Sequence, residues 1–233
     1  MLAKKITERV DWVGAVDWNR RLFDDLIPLP EGTSYNAYLV RGSEKTALID
    51  AVDPTMRDHL MTPLQDVPSL DYLVCQHVEQ DHAGTIPLVL ARYPRAVVLC
   101  SAKAKPMLVD HLHLDPERIR VVADGETVSL GDRSLQFTYT PWVHWPETMI
   151  TLLPEERILF TCDFFGSHFS ASGLFAGNDP AIRLAAARYY AEIMMPFRSA
   201  IQGHLKKVDA MAFDIIAPSH GPLYDQPALI LDA

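Results

Sequence analysis

The segment His77-Val78-Glu79-Gln80-Asp81-His82 constrains this chain more than any other. It offers four side chains that can bind a metal within six residues, directly after the apolar run Tyr72–Cys75, which predicts a buried strand. Strand side chains alternate between faces, so an extended continuation would place His77, Glu79 and Asp81 on one side. The pattern therefore predicts a strand that ends in a metal site.

Composition narrows the class of protein. Of the 233 residues, 48% are hydrophobic and 22% are charged, which is typical of a soluble globular protein. The formal net charge of −9 counts against nucleic acid as a partner, because phosphate binding needs clustered Lys and Arg. No apolar run approaches the roughly 20 residues that span a bilayer, and the N-terminus has no signal-peptide core. Cys75, Cys100 and Cys162 lie in strand-like apolar runs, so we expect buried, reduced thiols and a cytoplasmic protein.

Periodic segments predict two series of strands, each accompanied by helices. This order fits an α/β protein with four αββα layers, in which two sheets pack face to face. The first predicted series comprises residues 10–16, 35–41, 46–50, 72–76 and 96–100. The second comprises residues 120–122, 127–130, 135–140, 149–153, 158–162 and 213–217. The predicted helices cover residues 56–64, 87–93, 103–113 and 181–208, the last kinked by Pro196.

Three more candidate ligands share one context, the loop that follows a strand. His144, Asp163 and His220 each follow a predicted strand of the second series, and strand-end loops on one edge of a sandwich converge. With His77, Glu79, Asp81 and His82 they make seven candidate ligands, whereas one tetrahedral zinc takes four. Seven ligands suit two metals that share a carboxylate, and the position of Asp163 between the two later histidines suits the bridge.

Ligand chemistry bears on the identity of the metal. Four histidines and three carboxylates form a harder and more anionic set than an all-histidine zinc site. Mixed imidazole and carboxylate ligation with open positions is typical of non-haem iron, although zinc also accepts carboxylate oxygen. The residues therefore favour two iron ions over zinc.

The chain also resembles a known family. Its opening motif is similar to the metallo-β-lactamase signature H-x-H-x-D-H, with Glu79 in place of the second histidine. Together with that motif, the segments that resemble the diiron, metallo-β-lactamase-like domain of the flavodiiron proteins are residues 12–19, 32–39, 144–149, 160–168, 189–197 and 217–222. The resemblance implies that one iron takes His77, Glu79 and His144. It implies that the other takes Asp81, His82 and His220, with Asp163 as the bridge.

One departure from the family pattern shapes the functional hypotheses. Flavodiiron proteins continue into a flavodoxin-like domain that carries FMN, whereas this sequence stops thirteen residues after His220. We therefore expect a single domain over residues 1–233, with no flavodoxin domain and no FMN. Stand-alone members of this kind resemble the oxygen-binding diiron proteins, which are associated with oxygen sensing in chemotaxis.

The sequence leaves three functions open. The first is binding and sensing of O2, or of NO, with a chemotaxis signalling protein as a possible downstream partner. The second is reduction of O2 or NO with electrons from a separate flavoprotein or rubredoxin, since a diferrous pair supplies two of the four electrons that convert O2 to water. The third is a dinuclear zinc hydrolase that uses a bridging hydroxide. By family resemblance we also expect a homodimer.

Three residues near the motifs have two interpretations each. His168 either hydrogen-bonds a ligand or bound O2, or is an ordered loop histidine. Tyr35 and Trp145 either line the substrate pocket or pack beside it.

Overall fold

The computed structural model describes residues 3–231, so residues 1, 2, 232 and 233 of the expected single domain lie outside it. The strands are β1 (Lys4–Lys5), β2 (Val10–Trp12), β3 (Ala15–Asp17), β4 (Leu22–Phe23), β5 (Ile27–Pro28), β6 (Thr33–Tyr35), β7 (Tyr38–Arg41), β8 (Thr46–Ile49), β9 (Tyr72–Cys75), β10 (Val97–Cys100), β11 (Ile119–Val121), β12 (Thr127–Ser129), β13 (Ser134–Tyr139), β14 (Met149–Leu153), β15 (Ile158–Cys162) and β16 (Ile215–Pro218). The α-helices are α1 (Arg57–Met61), α2 (Gln80–Ala83), α3 (Ile86–Arg92), α4 (Ala104–Leu112), α5 (Pro180–Tyr189), α6 (Arg198–Asp209) and α7 (Ala228–Leu231).

Two sheets carry the fold. The first has the strand order β1-β2-β7-β8-β9-β10-β11, and the second has the order β12-β13-β14-β15-β16. Strands β8 to β11 run parallel, as do β15 and β16, so their carboxyl ends share an edge of each sheet. The chain crosses once from the first sheet to the second, between β11 and β12. Ligands that come after these strands in the chain can therefore meet at one end of the sandwich.

Three buried clusters separate four layers. Between the sheets, Ile49 of β8 belongs to the same apolar cluster as Phe160 of β15. On the outer face of the first sheet, Leu73 of β9 lies in a cluster with residues of α1, α3 and α4. On the outer face of the second, Leu159 of β15 packs with residues of α5 and α6. The arrangement confirms the predicted αββα sandwich, and it explains why the central strands are apolar on both faces.

Two predicted strands are each broken in the structure. Residues 10–16 form β2 and β3, and residues 35–41 are divided between β6 and β7. Strand β2 pairs with β7 in the first sheet, whereas β3 pairs with β6 in a separate two-stranded ribbon. At the break, the backbone of Tyr35 and Asn36 lies so close to Gly14 that any side chain there would collide with it. The predictions were wrong here because a continuous apolar run in the sequence does not show where a strand exchanges one neighbouring strand for another.

Asn36 lies at the second break and joins the ribbon to the end of β16. Its side-chain nitrogen donates to the carbonyl oxygens of Pro218 and Gly221, both at 2.8 Å. Its side-chain oxygen accepts from the Trp12 indole N–H at 2.9 Å. Because Pro218 and Gly221 flank His220, Asn36 holds the loop that presents this candidate ligand.

The predicted long helix over residues 181–208 is interrupted. α5 ends at Tyr189 and is followed by a π-turn (Tyr190–Met194) and a 3-10 turn (Met195–Phe197) before α6 begins. Pro196 lies in the 3-10 turn, and its missing N–H prevents a continuous α-helical ladder. The interruption is the kink that the proline predicts.

Two further expectations from composition can be compared with the fold. Cys75, Cys100 and Cys162 are buried and unpaired with one another, as predicted. Within residues 3–231, none of the helices is both long enough and apolar enough to cross a bilayer.

Candidate metal centre

The opening motif changes conformation halfway through. Strand β9 ends before His77, and Glu79 stands in extended conformation directly before the short helix α2. Asp81 and His82 therefore lie on a helical turn, where the peptide N–H groups of His82 and Ala83 both bond the carbonyl of Glu79. The expectation that alternation keeps Asp81 on the side of His77 and Glu79 was wrong. The turn carries Asp81 away from them.

The seven predicted ligands lie together at one end of the sandwich as two groups. In the first group, His77, Glu79, His144 and Asp163 each offer a donor atom within 4.8 Å of the others. The Glu79 carboxylate lies 3.1 Å from the Nε2 atoms of both His77 and His144.

The second group joins the helical half of the motif to the loop after β16. Asp81, His82 and His220 each offer a donor atom within 4.8 Å of the others. The Nε2 atom of His220 lies 3.1 Å from the Asp81 carboxylate. The change of conformation in the opening motif therefore divides its four side chains equally between the two groups.

Asp163 lies between the groups and faces both. Its Oδ2 atom is 3.5 Å from Nε2 of His77 and 3.4 Å from Nε2 of His144. Its Oδ1 atom is 3.1 Å from Nε2 of His82 and 3.4 Å from Nε2 of His220. The Oδ2 atom thus faces the first group and the Oδ1 atom faces the second, which is the geometry that a bridging ligand needs.

The buried polar atoms of the centre fit cations. Asp81, His82 and Asp163 are each no more than 1% exposed. Although Asp163 lies 3.1 Å from His82, neither the carboxylate oxygens of Asp81 and Asp163 nor the ring nitrogens of His82 have a partner at hydrogen-bonding angles among residues 3–231. Buried carboxylates without hydrogen bonds are costly unless a cation compensates them. The donor set of imidazole nitrogen and carboxylate oxygen is one that iron and zinc both accept.

Without a metal, protons would compensate this charge. Burial lowers the pKa of His77, but hydrogen bonds to Glu147 and Glu79 outweigh it and raise the pKa to about 10. Burial likewise lowers the pKa of His144, and its contacts with Asp163 and Glu79 raise it to about 10. Histidine must lose its proton before it binds a metal, so metal binding at these residues would release protons.

Glu147 is a functional candidate that the sequence interpretation missed. It is 1% exposed, and its Oε1 atom accepts a hydrogen bond from Nδ1 of His77 at 2.6 Å and one from the Val78 N–H at 3.1 Å. This bond turns Nε2 of His77 toward Glu79 and Asp163. A carboxylate behind a ligand histidine fixes its ring and raises its basicity. The only hint in the sequence was a glutamate three residues after His144.

We expect Glu147→Gln to weaken metal binding by about 10- to 100-fold, because glutamine keeps the volume but loses the charge that orients His77. A chelator competition titration on the folded protein measures the affinity. Glu117→Gln, which neutralises an exposed carboxylate, is the matched control. Equal affinity in the two variants would show that Glu147 does not support the centre.

A pocket of about 200 Å³ opens beside both groups. Its wall comprises Phe23, Asp24, Ile27, Glu79, His144, His168, Tyr189, Glu192, Ile193 and His220. Glu79 and His144 come from the first group and His220 comes from the second. The volume is below the roughly 300–1,000 Å³ of sites for drug-sized ligands. The pocket therefore suits a small molecule that contacts both groups.

The three remaining candidates lie against the predicted ligands. His168 lines the pocket, and its ring centroid is 4.8 Å from that of His220. The ring of Tyr35 lies 5.8 Å from His220, and the ring of Trp145 lies 5.0 Å from His77. Neither Tyr35 nor Trp145 belongs to the pocket wall. Of the two interpretations of these aromatic residues, the structure supports packing.

A four-layer αββα sandwich that gathers histidines and carboxylates at one end of its two sheets defines a protein of the metallo-β-lactamase-like class. The family model described as "ODP family beta lactamase" matches residues 33–221, and the chain belongs to that family.

The relatives that it matches are flavodiiron proteins and related flavoproteins, as the sequence resemblance predicted. The chain is 45% identical to the type A flavoprotein FprA of Rhodobacter capsulatus, over 92% of this chain and 50% of the relative. It is 41% identical to the nitric oxide reductase of Moorella thermoacetica, over 98% of this chain and 59% of the relative. The chain thus spans about half the length of the curated relatives that it matches.

Solved structures of similar proteins have the same fold. The rubredoxin oxygen:oxidoreductase of Desulfovibrio gigas matches with a TM-score of 0.92 and 34% identity, over 99% of this chain and 60% of that one. The flavodiiron protein of Giardia intestinalis matches with a TM-score of 0.93 and 26% identity, over 100% of this chain and 58% of that one.

Proposed function

We propose that this chain holds two iron ions bridged by Asp163. One ion would be held by His77, Glu79 and His144, and the other by Asp81, His82 and His220. The observation that carries the proposal is the position of Asp163, with one oxygen toward each group. The mixed ligand set and the similarity to flavodiiron proteins favour iron over zinc.

We further propose that the centre binds and activates O2, with NO as an alternative ligand. Two iron ions would supply one-electron redox chemistry and open positions for a diatomic molecule. The pocket of about 200 Å³ supports this, because it reaches side chains of both groups and admits a small ligand. Glu79, Asp81 and Asp163 offset the positive charge, and Glu147 keeps His77 in position.

Binding of the diatomic molecule can lead to either of two functions. The first possibility is that the protein holds O2 and acts as a binding or sensing protein, with a chemotaxis protein as one candidate partner. The second is that it reduces O2 or NO with electrons from a separate flavoprotein or rubredoxin. The names of two relatives, nitric oxide reductase and rubredoxin-oxygen oxidoreductase, support the second possibility.

Metal analysis tests the centre itself. We expect two iron ions per chain after expression in iron-replete medium, measured by plasma emission spectrometry on the purified protein. Two zinc ions and no iron would contradict the proposal and would favour the dinuclear zinc hydrolase instead.

Adding O2 to the iron-loaded protein after anaerobic reduction distinguishes the two possibilities. A visible absorption band that persists supports binding, whereas a return to the reduced spectrum in the presence of rubredoxin and its reductase supports turnover. No spectral change, with two irons present, would rule out O2 as the ligand, and repeating the experiment with NO would then identify the alternative.

Three other expectations stay predictions. They are a homodimer, which sedimentation velocity would measure, a cytoplasmic location, and an electron donor on a separate chain. None of them is needed for the metal centre, since all seven proposed ligands belong to one chain.

A further inference from the structure

His168 is a pocket side chain whose role the metal centre does not explain. It is 6% exposed and lines the pocket, yet it is not among the residues whose donor atoms form the two ligand groups. Its Nδ1 atom lies 2.9 Å from the hydroxyl oxygen of Thr33. Its Nε2 atom is buried and has no hydrogen-bond partner within residues 3–231. A buried ring nitrogen left without a partner in a pocket wall points to a ligand.

The Thr33 contact bears on which ring nitrogen of His168 carries the proton. A neutral imidazole has one N–H and one acceptor nitrogen, and the hydroxyl of Thr33 has a single proton to donate. The other acceptor within reach of that hydroxyl is the Ser34 carbonyl at 3.3 Å, which is longer than the 2.9 Å contact with His168. The shorter contact favours donation by the hydroxyl to Nδ1, which would leave the proton of His168 on Nε2.

Packing holds the ring in this orientation. Its centroid lies 5.1 Å from Phe23, 4.9 Å from Tyr189 and 4.8 Å from His220. Thr33 is fully buried in β6, so its hydroxyl is fixed as well. Turning the ring over would break the Thr33 bond and leave Nδ1 buried without a partner. The His168 ring is thus held in the pocket wall beside His220, with its Nε2 atom fixed in position.

We propose that His168, oriented by Thr33, donates its Nε2–H to a diatomic molecule bound in the pocket and so stabilises it there. The inference rests on the proposed function and adds the residue that recognises the ligand. A diatomic molecule bound to a reduced metal gains electron density, and a hydrogen bond to an acceptor with charge is stronger than one to a neutral acceptor. His168 is a binding residue and Thr33 is its positioning residue.

The test uses NO as the probe on the reduced, iron-loaded full chain. We expect His168→Leu to speed NO dissociation by about 10- to 100-fold, the ratio that one hydrogen bond to a charged acceptor represents. We also expect it to raise the N–O stretching frequency and to abolish the shift of that band in D2O. His168→Gln, which retains an N–H donor, should recover part of both effects.

Thr33 variants test the positioning step. Thr33→Val keeps the shape but removes the hydroxyl, so NO dissociation should be intermediate between the wild type and His168→Leu, while Thr33→Ser should behave as the wild type. His204→Gln is the matched control, because His204 is also buried and its Nε2 atom bonds the Pro141 carbonyl instead of facing the pocket. Identical N–O bands and dissociation rates in the wild type and His168→Leu would overturn the inference.

Proton position can be measured without any diatomic ligand. Histidine nitrogen NMR of the diamagnetic, zinc-loaded chain should show the Nε2–H form for His168, assigned by the signal missing in His168→Gln. The Nδ1–H form would overturn the inference, because Nε2 would then be an acceptor. Failure of the proposed function gives a different result, since the wild type would then lack two irons or would not bind NO at all.

Discussion

Replacing Asp163 with asparagine is expected to reduce the iron content from two ions per chain to one or fewer. Asparagine has one acceptor oxygen, and its amide nitrogen can only donate, so one of the two groups would face an N–H pair where the aspartate presents an oxygen. The loss of negative charge also leaves the histidines around it less well compensated. Plasma emission spectrometry after anaerobic reconstitution gives the metal content, and circular dichroism checks that the variant folds.

Asp214→Asn provides the matched control for this change. Asp214 is an exposed carboxylate paired with Arg157 through two hydrogen bonds. It lies directly before β16, at the opposite end of that strand from His220. We expect this variant to keep two irons. If Asp163→Asn also keeps two irons at wild-type affinity, the bridging role of Asp163 is wrong.

The second large effect is expected at Asn36. We expect Asn36→Ala to lower the free energy of unfolding by about 3 kcal/mol. The buried Trp12 indole N–H loses its partner, which costs about 1–3 kcal/mol, and two carbonyls lose one hydrogen bond each, worth about 1 kcal/mol apiece. The two carbonyls are those of Pro218, which keeps a bond from the Tyr38 hydroxyl, and Gly221, which keeps one from the Ser34 hydroxyl. Urea denaturation followed by tryptophan fluorescence measures the change.

The same substitution should also disturb the metal centre, because the two carbonyls flank His220. Iron content measured well below the denaturation midpoint separates this local effect from unfolding. Asn19→Ala, at an exposed position, should change neither the stability nor the iron content. A loss of stability below about 1 kcal/mol in Asn36→Ala would mean that water replaces the lost hydrogen bonds.

Much of the fold could be predicted from the sequence because its signals are local. The strand predicted over residues 158–162 matches β15, and the one over residues 149–153 matches β14, since each is a short apolar run bounded by turn residues. The seven candidate ligands are brought together because each lies in the segment that follows such a strand. Pro196 marked the helix interruption for an equally local reason, its missing N–H.

The predictions failed where distant contacts decide the structure. The break at Gly14 depends on the backbone of residues 35 and 36, which sequence periodicity cannot reveal. Asp81 was placed on the wrong side because the chain turns helical directly after Glu79. Glu147 was missed because its role depends on Nδ1 of His77, seventy residues earlier in the chain.

The crossing between β11 and β12 has a mechanical consequence. Every proposed ligand before it comes after a strand of the first sheet, and every later one comes after a strand of the second. The metals would therefore connect two halves of the polypeptide that are otherwise held by side-chain packing and by buried hydrogen bonds such as those of Asn36 and Glu147. Ligand binding to the folded state alone stabilises that state by mass action. Loss of iron would therefore lower the free energy of unfolding of the whole sandwich. Oxidation chemistry that releases iron from the centre would reduce the stability of the fold as well.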